Sequence, residues 1–310
     1  MAEQIISREF KNRWINFYGK NVTERILREL EQSDPRIISP NALYTTRRQL
    51  QESLESQGFR FAPETPFNCL ILEFEPFNIV ATSEYLSGLF TIQALTSLIP
   101  PKCLNPSSES VVADLAASPG IKTCLLAEVM ENTGTLFAIE KAKKRIPALK
   151  SNIARMGIYN TFILNCDARS FPGLNVKVDH IMLDAPCTGT GLKLKKNKRL
   201  ERRILNDVTR QSLIQREILD EAWKQLKIDG TIVYSTCSLE PEEGEVQINN
   251  FLARHEKQVQ VLPININIGN PGNLTRWTKV YDSQISNTRR IFPDQGMDGF
   301  FIALMKKVRE

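Results

Sequence analysis

The sequence predicts an α/β fold in which a doubly wound, mostly parallel sheet follows a smaller α+β domain. Beyond residue 110, predicted strands alternate with predicted helices, which is typical of parallel sheets with crossover helices. These strands are largely apolar, as expected when both faces of a sheet are covered. The Pro- and Ser-rich segment PPKCLNPSSES (100–110) precedes the alternation. We therefore expect an N-terminal domain over residues 1–105 and a larger domain over 106–310.

The N-terminal domain begins with apolar residues at helical spacing over residues 1–32, and Ser33-Asp34-Pro35 ends that pattern. The elements predicted after it are a helix over 47–58 that stops at Gly58, a strand over 68–74 and a helix over 85–99 that ends at Pro100-Pro101.

The larger domain shows a regular order of elements, with apolar strands between helices of ordinary length. In sequence, the predicted elements are strand 110–116, helix 120–131, strand 135–140, helix 142–156, strand 161–166, strand 178–184, helix 207–227, strand 231–236 and strand 299–307.

Composition excludes several classes of protein. The 310 residues contain no run of about 18 apolar residues, and charges occupy the N-terminal stretch where a secretory signal needs an apolar core. We therefore expect a soluble cytoplasmic protein that does not bind membranes. The six cysteines never form CxxC, and His180 and His255 lie far apart, so the spacing indicates neither a metal site nor a disulfide framework.

Three strand ends predict a site for a nucleotide cofactor, because ligands of doubly wound sheets bind at the carboxyl ends of strands. The first strand ends in the segment DLAASPGIKT (114–123), where small residues let the backbone approach a ligand closely and Gly120 begins a helix. Glu140 ends the second strand, where such folds place the carboxylate that binds ribose hydroxyls. Asp167 follows the third, placed to accept from an adenine amino group. A dinucleotide dehydrogenase shares these features, so they do not name the cofactor.

Two further strand ends bring reactive side chains to the same edge. Asp184 and Cys187 lie in DAPCTGTG (184–191), and Cys237 lies in STCS after the next strand. A thiolate that adds to carbon 6 of cytosine makes carbon 5 nucleophilic enough to accept a methyl group. We assign Asp184 to the base's N3 edge, where a carboxyl group keeps that nitrogen protonated. Cys187 is a candidate to assist release of the carbon 5 proton, although most such cysteines are simply small buried residues.

Positive charge is concentrated in KLKKNKRLERR (193–203), which has seven Lys or Arg and one Glu in a chain of net charge +5. Because this segment directly follows DAPCTGTG, we expect it near the mouth of the site, where it would bind phosphates; the alternative is an ordinary solvated surface. The target base must then be unpaired or flipped. The predicted RNA contacts are Lys193, Lys195, Lys196, Lys198, Arg199, Arg202 and Arg203.

From about residue 40 onward the chain resembles the Sun and nucleolar-protein family of RNA cytosine-5 methyltransferases. The resemblance implies a Rossmann-like, seven-stranded methyltransferase domain, S-adenosylmethionine as cofactor and RNA as partner, with tRNA favoured over ribosomal RNA. We also expect a monomer whose N-terminal domain positions the RNA or covers the sheet. The motifs that carry the resemblance are DLAASPGIKT, FAIEKAKKRI, CDAR, DAPCTGTG, YSTCSLEPEEGE and RIFPDQGMDGFFIALM.

The resemblance also implies roles for individual residues. Cys237 is the implied nucleophile and Cys187 the product-release cysteine, the reverse of DNA cytosine methyltransferases, which attack from a Pro-Cys pair. The family's loop usually reads CAAPGGKT, and Ile121 here replaces a glycine, from which we expect weaker or shifted cofactor binding. The residues implied to line the cofactor are Ala116, Ala117, Ser118, Pro119, Gly120, Ile121, Lys122, Glu140, Arg145, Asp167 and Asp184.

Three other functions stay open on the sequence. An adenine amino-group methyltransferase typically carries Asn/Asp-Pro-Pro-aromatic, whereas this chain has Asp184-Ala185-Pro186-Cys187. DNA methylation from Cys187 is a second alternative. The third is a catalytically silent RNA-binding factor, against which the presence of Cys237, Asp184 and Lys122 argues.

Overall fold

The computed structural model describes residues 6–33, 35–63, 66–174, 176–194, 203–272, 281–294 and 297–309. The chain divides into two compact units, Pro35–Ala168 and Met1–Asp34 together with Arg169–Glu310. The boundary expected between residues 105 and 106 stays a prediction.

Helices and strands alternate through most of the described chain. The α-helices are α1 (Arg8–Tyr18), α2 (Lys20–Glu31), α3 (Arg47–Glu55), α4 (Ser83–Leu86), α5 (Ile99–Leu104), α6 (Ile121–Val129), α7 (Ile146–Arg155), α8 (Leu205–Gln225) and α9 (Glu245–Arg254). The β-strands are β1 (Arg36–Pro40), β2 (Arg60–Phe61), β3 (Leu70–Phe74), β4 (Phe90–Gln93), β5 (Val111–Asp114), β6 (Thr135–Ile139), β7 (Thr161–Leu164), β8 (Val178–Asp184), β9 (Leu226–Thr236), β10 (Val259–Leu262), β11 (Asn270–Pro271), β12 (Arg289–Ile291) and β13 (Phe300–Lys307).

The unit Pro35–Ala168 begins with an antiparallel four-stranded sheet in the order β2-β3-β1-β4. Helix α3 covers this sheet because Leu50 and Leu54, four residues apart on one helix face, are buried with Ile38, Leu70 and Phe90. The sequence predicted the helix and strand β3, but not strands β1, β2 and β4.

The helix predicted over residues 85–99 is wrong, because β4 lies there between the short helices α4 and α5. Gly88 has a φ of +74°, and a Cβ atom at this position would lie 1.9 Å from the carbonyl oxygen of Arg155. The chain therefore turns sharply at a position that only glycine fits. Pro100 and Pro101 begin α5 instead of ending a helix, since the first turn of a helix needs no N–H donor.

The second half of the same unit has the predicted alternation. Strands β5, β6 and β7 are parallel neighbours in that order, and α6 and α7 connect them. Parallel strands point their carboxyl ends to one edge, so the loops after Asp114, Ile139 and Leu164 leave the sheet on the same side.

In the other unit, α1 and α2 form a helical hairpin. The apolar pattern over residues 1–32 is divided into two helices at Gly19, which has a φ of +85°. Trp14 and Ile26 are buried with Val208 and Leu239, so the hairpin packs onto the later segment of its own unit.

The sheet of this unit is built around β13, the strand predicted over residues 299–307. Strands β8 and β9 are parallel, β13 runs antiparallel to β9, and β10 and β12 pair with β13. Among the described residues, no helix is long and apolar enough to cross a membrane.

Candidate active site

The ends of β8 and β9 bring the predicted catalytic residues together. The two strands are parallel, and Asp184 pairs with Ser235 in the register. The Ala185 N–H extends the pairing by donating to the Ser235 carbonyl at 2.8 Å. Since both strands end at one level, the segments that carry Cys187 and Cys237 leave the sheet side by side.

The two cysteines form a close pair of free, partly buried thiols, with 3.1 Å between their Sγ atoms. The hydrogen bond to Cys237 raises the pKa of Cys187 well above its ordinary value, and burial raises it further. The raised pKa favours the protonated form of Cys187 at neutral pH, and either sulfur can be the donor of the hydrogen bond between the two residues. Two adjacent thiolates would repel each other, so this pair favours at most one thiolate.

Asp184 is oriented by the neighbouring strand. Its Oδ1 accepts a hydrogen bond from the Ser235 hydroxyl at 2.8 Å. Ser235 is fully buried, whereas Asp184 is only half-buried. The fold thus fixes the carboxylate while leaving it partly exposed.

Sequence analysis missed Glu243, a fully buried carboxylate beside both cysteine segments. Its Oε1 accepts from the Thr188 backbone N–H at 3.0 Å and from the Gln215 amide at 2.9 Å. Its Oε2 accepts from the hydroxyls of Thr188 and Ser238. Glu243 lies in the motif YSTCSLEPEEGE, but an acidic run after a strand is equally typical of a solvated turn.

Helix α1 packs against the segment that follows Cys237. The Trp14 indole N–H donates to Glu240 Oε1 at 2.7 Å, and Arg13 Nε donates to Glu240 Oε2 at 2.7 Å. The Tyr18 hydroxyl donates to the Leu239 carbonyl. Burial raises the pKa of Glu240 to about 7. The sequence did not predict these contacts, which connect helix α1 to the segment that follows Cys237.

In the unit Pro35–Ala168, a buried carboxylate shapes the predicted cofactor loop. Asp114, at the end of β5, accepts from the Thr123 hydroxyl at 2.7 Å and from the Ala116 N–H at 3.3 Å. The Ala117 N–H donates to the Ile139 carbonyl at 2.9 Å, which fixes the loop to the end of β6. Asp114 and Thr123 therefore hold both ends of the loop, a role the sequence analysis did not assign.

Gly120 supplies the unusual backbone conformation of this loop. Its φ is +106°, and Ile121 after it is the first residue of α6. A helical backbone accepts any L-residue, so replacing the family's glycine by Ile121 does not strain the loop. The left-handed position falls on Gly120, which this chain retains.

The other loop residues have protein partners as well. The Pro119 carbonyl accepts from the Asn152 amide at 2.9 Å, and Lys122 Nζ donates to the Ser97 hydroxyl at 3.4 Å. These bonds connect the loop to α7 and to the residues just before α5.

Three of the predicted cofactor residues contact one another. Arg145 donates to the Ser118 carbonyl at 2.5 Å and lies 3.4 Å from Glu140 Oε2. Asp167 pairs with Lys141 at 2.7 Å. The structure thus brings Ser118, Glu140 and Arg145 together and places Asp167 beside the residue that follows Glu140.

The basic segment gives a mixed result. Lys193 is fully buried, where its Nζ donates to the Glu29 carbonyl at 2.6 Å. An ammonium group so enclosed is poorly placed to bind a phosphate. Arg203 lies 4.0 Å from Asp207. The other predicted contacts, Lys195, Lys196, Lys198, Arg199 and Arg202, lie outside the described residues.

The α/β architecture, the acidic strand ends and the glycine loop are typical of a Rossmann-like nucleotide-binding fold. A family model described as 16S rRNA methyltransferase RsmB/F matches residues 101–306. The chain therefore belongs to this family, which confirms the resemblance drawn from its motifs.

Known proteins support the same assignment. The chain is 33% identical to the 25S rRNA (cytosine-C(5))-methyltransferase nop2 of Schizosaccharomyces pombe over 90% of its own length, but spans only 47% of that relative. It is 31% identical to the tRNA (cytosine(49)-C(5))-methyltransferase of Pyrococcus abyssi, covering 73% of each chain. A crystal structure of a methyltransferase homolog protein from Pyrococcus horikoshii matches with a TM-score of 0.86 and 34% identity, over 97% of this chain and 95% of that one. The predicted Rossmann-like fold is thereby confirmed.

Proposed function

We propose that this protein is an RNA cytosine-5 methyltransferase that uses S-adenosylmethionine. The observation that carries the proposal is the pair of thiols, Cys187 and Cys237, 3.1 Å apart at the ends of two parallel strands that also present Asp184. A lone structural cysteine needs no second thiol at hydrogen-bond distance. Cytosine-5 methylation uses one thiol to attack the base and a second group to handle the proton that must leave.

In this proposal Cys237 is the nucleophile. Its thiolate forms a bond to carbon 6 of cytosine, and the electron pair displaced toward carbon 5 makes that carbon nucleophilic. Cys187 has the raised pKa, which suits the partner that stays protonated while Cys237 attacks. After methylation, the carbon 5 proton passes to a water molecule beside Cys187, its electron pair forms the double bond between carbon 5 and carbon 6, the bond from carbon 6 to Cys237 breaks, and the thiolate is restored. Cys187 assists that proton release.

Asp184 acts at the N3 edge of the base. A carboxyl group there keeps N3 protonated and so stabilises the charge that develops on the ring when the thiolate adds. The Ser235 hydroxyl holds the Asp184 side chain in place for this contact.

The residues of the cofactor region fit an adenosine-containing methyl donor. Gly120 leaves its backbone free of a side chain, Glu140 supplies a carboxylate for ribose hydroxyls, and Asp167 supplies one for an amino group. Arg145 and the rest of the loop 116–122 complete the proposed binding residues. When bound, S-adenosylmethionine supplies the activated methyl group.

We propose tRNA as the substrate class. The support is the relative from Pyrococcus abyssi, which is a tRNA methyltransferase. The match with it covers 73% of this chain and 73% of that relative. Ribosomal RNA is the second candidate, favoured by the Schizosaccharomyces pombe relative, whose length this chain spans less completely. The basic segment 193–203 is the proposed phosphate-binding surface in either case.

The test is to incubate the purified protein with methyl-labelled S-adenosylmethionine and separated tRNA and ribosomal RNA. Nucleoside analysis should find label in 5-methylcytosine from tRNA, and sequencing after bisulfite treatment should map the position. Label in a methylated adenine would support the amino-group alternative. Label in 5-methylcytosine from ribosomal RNA alone would replace the tRNA assignment. No label in any RNA would favour a silent RNA-binding factor.

A further inference from the structure

We infer that Glu243 is a positioning residue that holds the segments of Cys187 and Cys237 in register so that the two thiols face each other. The catalytic meaning of this role rests on the proposed function. Its effect on the reactivity of the thiols does not require RNA.

The contacts of Glu243 reach both cysteine segments at adjoining residues. Thr188, which follows Cys187, donates its backbone N–H at 3.0 Å and also its hydroxyl. Ser238, which follows Cys237, donates its hydroxyl to the second carboxylate oxygen. One planar group therefore spans two segments that have no covalent link near this point. A movement of either segment would break at least one of these hydrogen bonds.

A second layer of contacts immobilises the carboxylate itself. Gln215 of α8 donates to Glu243 Oε1 and to the Pro186 carbonyl, both at 2.9 Å. The Tyr234 hydroxyl lies 2.8 Å from the Glu243 carbonyl oxygen and 3.1 Å from Gln215 Oε1. Cys187 is thus flanked on both sides by residues bound to this network, Pro186 through Gln215 and Thr188 through Glu243.

The energetics favour a positioning role over simple stabilisation. Burying a carboxylate costs free energy that an apolar side chain of similar volume avoids. The described partners of the carboxylate are neutral donors, which compensate the cost by hydrogen bonding. What the carboxylate adds is directional bonding to two separate segments, and apolar packing cannot supply that.

The negative charge of Glu243, like its hydrogen bonds, favours the different roles proposed for the two thiols. The hydrogen bond to Cys237 and burial are the largest causes of the raised pKa of Cys187, and the negative charges of Cys237, Glu243 and Asp184 raise it further. Glu243 therefore helps to keep Cys187 protonated while Cys237 serves as the nucleophile.

The experiment compares Glu243→Gln with Glu242→Gln in the full chain. Glu242 lies one residue earlier and pairs with Arg13, not with the cysteine segments, so it is a matched control. Alkylation by iodoacetamide, followed over pH by mass spectrometry of the peptides, measures the reactivity of each cysteine. In the unaltered protein and in Glu242→Gln, we expect Cys237 to react faster than Cys187 at neutral pH. In Glu243→Gln, we expect the two rates to converge.

Methylation kinetics supply the second readout. We expect Glu243→Gln to lower kcat by about 10- to 100-fold, the usual cost of misplacing a reacting group, with KM values changed by less than about twofold. Thr188→Val removes one hydroxyl but keeps the side-chain shape and the backbone bond. It should lower kcat by about fivefold and remains informative if Glu243→Gln does not fold.

Two results would overturn the inference. One is a folded Glu243→Gln, or a folded Thr188→Val, with unaltered kcat and unaltered cysteine reactivities. The other is a loss of kcat in Glu243→Gln only in proportion to a loss of thermal stability and cofactor affinity, which indicates a structural role. If the unaltered protein methylates no RNA, the proposed function fails, but the alkylation rates still decide whether Glu243 positions the thiols.

Discussion

Cys187 and Cys237, separated by 50 residues in sequence, face each other with their sulfur atoms 3.1 Å apart. The hydrogen bond between them makes the two thiols chemically unequal, because it raises the pKa of Cys187. Two unequal thiols at one site are suited to different steps of one reaction. Replacing each in turn should therefore stop that reaction at different points.

Cys237→Ala should abolish methylation, because no thiolate is left to add to the base. Cys187→Ala should attack the base normally but fail to release it, so a covalent complex of protein and RNA should accumulate. Denaturing gel electrophoresis after incubation with S-adenosylmethionine and RNA detects that complex, and Cys103→Ser, which changes a cysteine of α5, serves as a control. A covalent complex formed by Cys237→Ala would instead make Cys187 the nucleophile.

Gly120→Ala should weaken binding of S-adenosylmethionine by more than about tenfold, since its φ of +106° is strained for any other residue. The added Cβ would also lie 2.9 Å from Leu149 Cδ1. Ile121→Gly should change the affinity by less than about threefold and lower stability by about 0.5–1 kcal/mol, because Ile121 has a helical backbone. Isothermal titration calorimetry and thermal denaturation measure both effects. Clearly tighter binding by Ile121→Gly would show that this side chain obstructs the cofactor.

The sequence predicted the parts of the fold that local patterns determine. Apolar strands that alternate with helices place Asp114, Glu140 and Asp184 at strand ends, and the structure has them there. The helix over residues 85–99 failed because the left-handed turn at Gly88 depends on the nearby backbone of Arg155, a tertiary contact.

The same limit applies to the candidate site. Cys187 and Cys237 were predicted because each follows a recognisable strand. The partners of Glu243 come from three segments far apart in sequence, and the bond between Trp14 and Glu240 joins residues 226 positions apart. No local pattern encodes such pairings, so burial of an acidic residue was not predictable from its neighbours.

The basic segment 193–203 gives a prediction that separates the buried Lys193 from the other lysines of the segment. Replacing Lys195, Lys196 and Lys198 by Ala should weaken RNA binding and reduce the slope of log affinity against log salt by about one for each phosphate that is no longer neutralised. Lys193→Met should leave that slope unchanged but lower stability by about 1–3 kcal/mol, since the buried ammonium group donates to the Glu29 carbonyl and lies 3.7 Å from the Glu29 carboxylate. Filter binding over a range of KCl concentrations and urea denaturation test the two parts. A reduced slope in Lys193→Met would mean that this lysine binds RNA after all.

The contact between helix α1 and Glu240 makes stability depend on pH in a specific direction. Burial raises the folded-state pKa of Glu240 to about 7, above the ordinary value of 4.5. Between these values the folded protein keeps a proton that the unfolded chain has released. The contribution of Glu240 to stability should therefore be largest below pH 4.5 and be lost as pH rises to about 7. Arg13, Trp14 and Glu242 face this carboxylate, and the first two oppose the shift.

Glu240→Gln isolates this contribution, because a neutral amide cannot release the proton. Urea titrations measure the free energy of unfolding of both proteins. The value for the unaltered protein minus the value for Glu240→Gln should decrease by on the order of 1–3 kcal/mol between pH 4.5 and pH 7. Glu128 and Glu243, whose pKa values burial also raises, are present in both proteins and cancel from the difference. A difference that is constant over this range, or that grows with pH, would show that the Arg13 ion pair outweighs burial and that Glu240 is charged throughout.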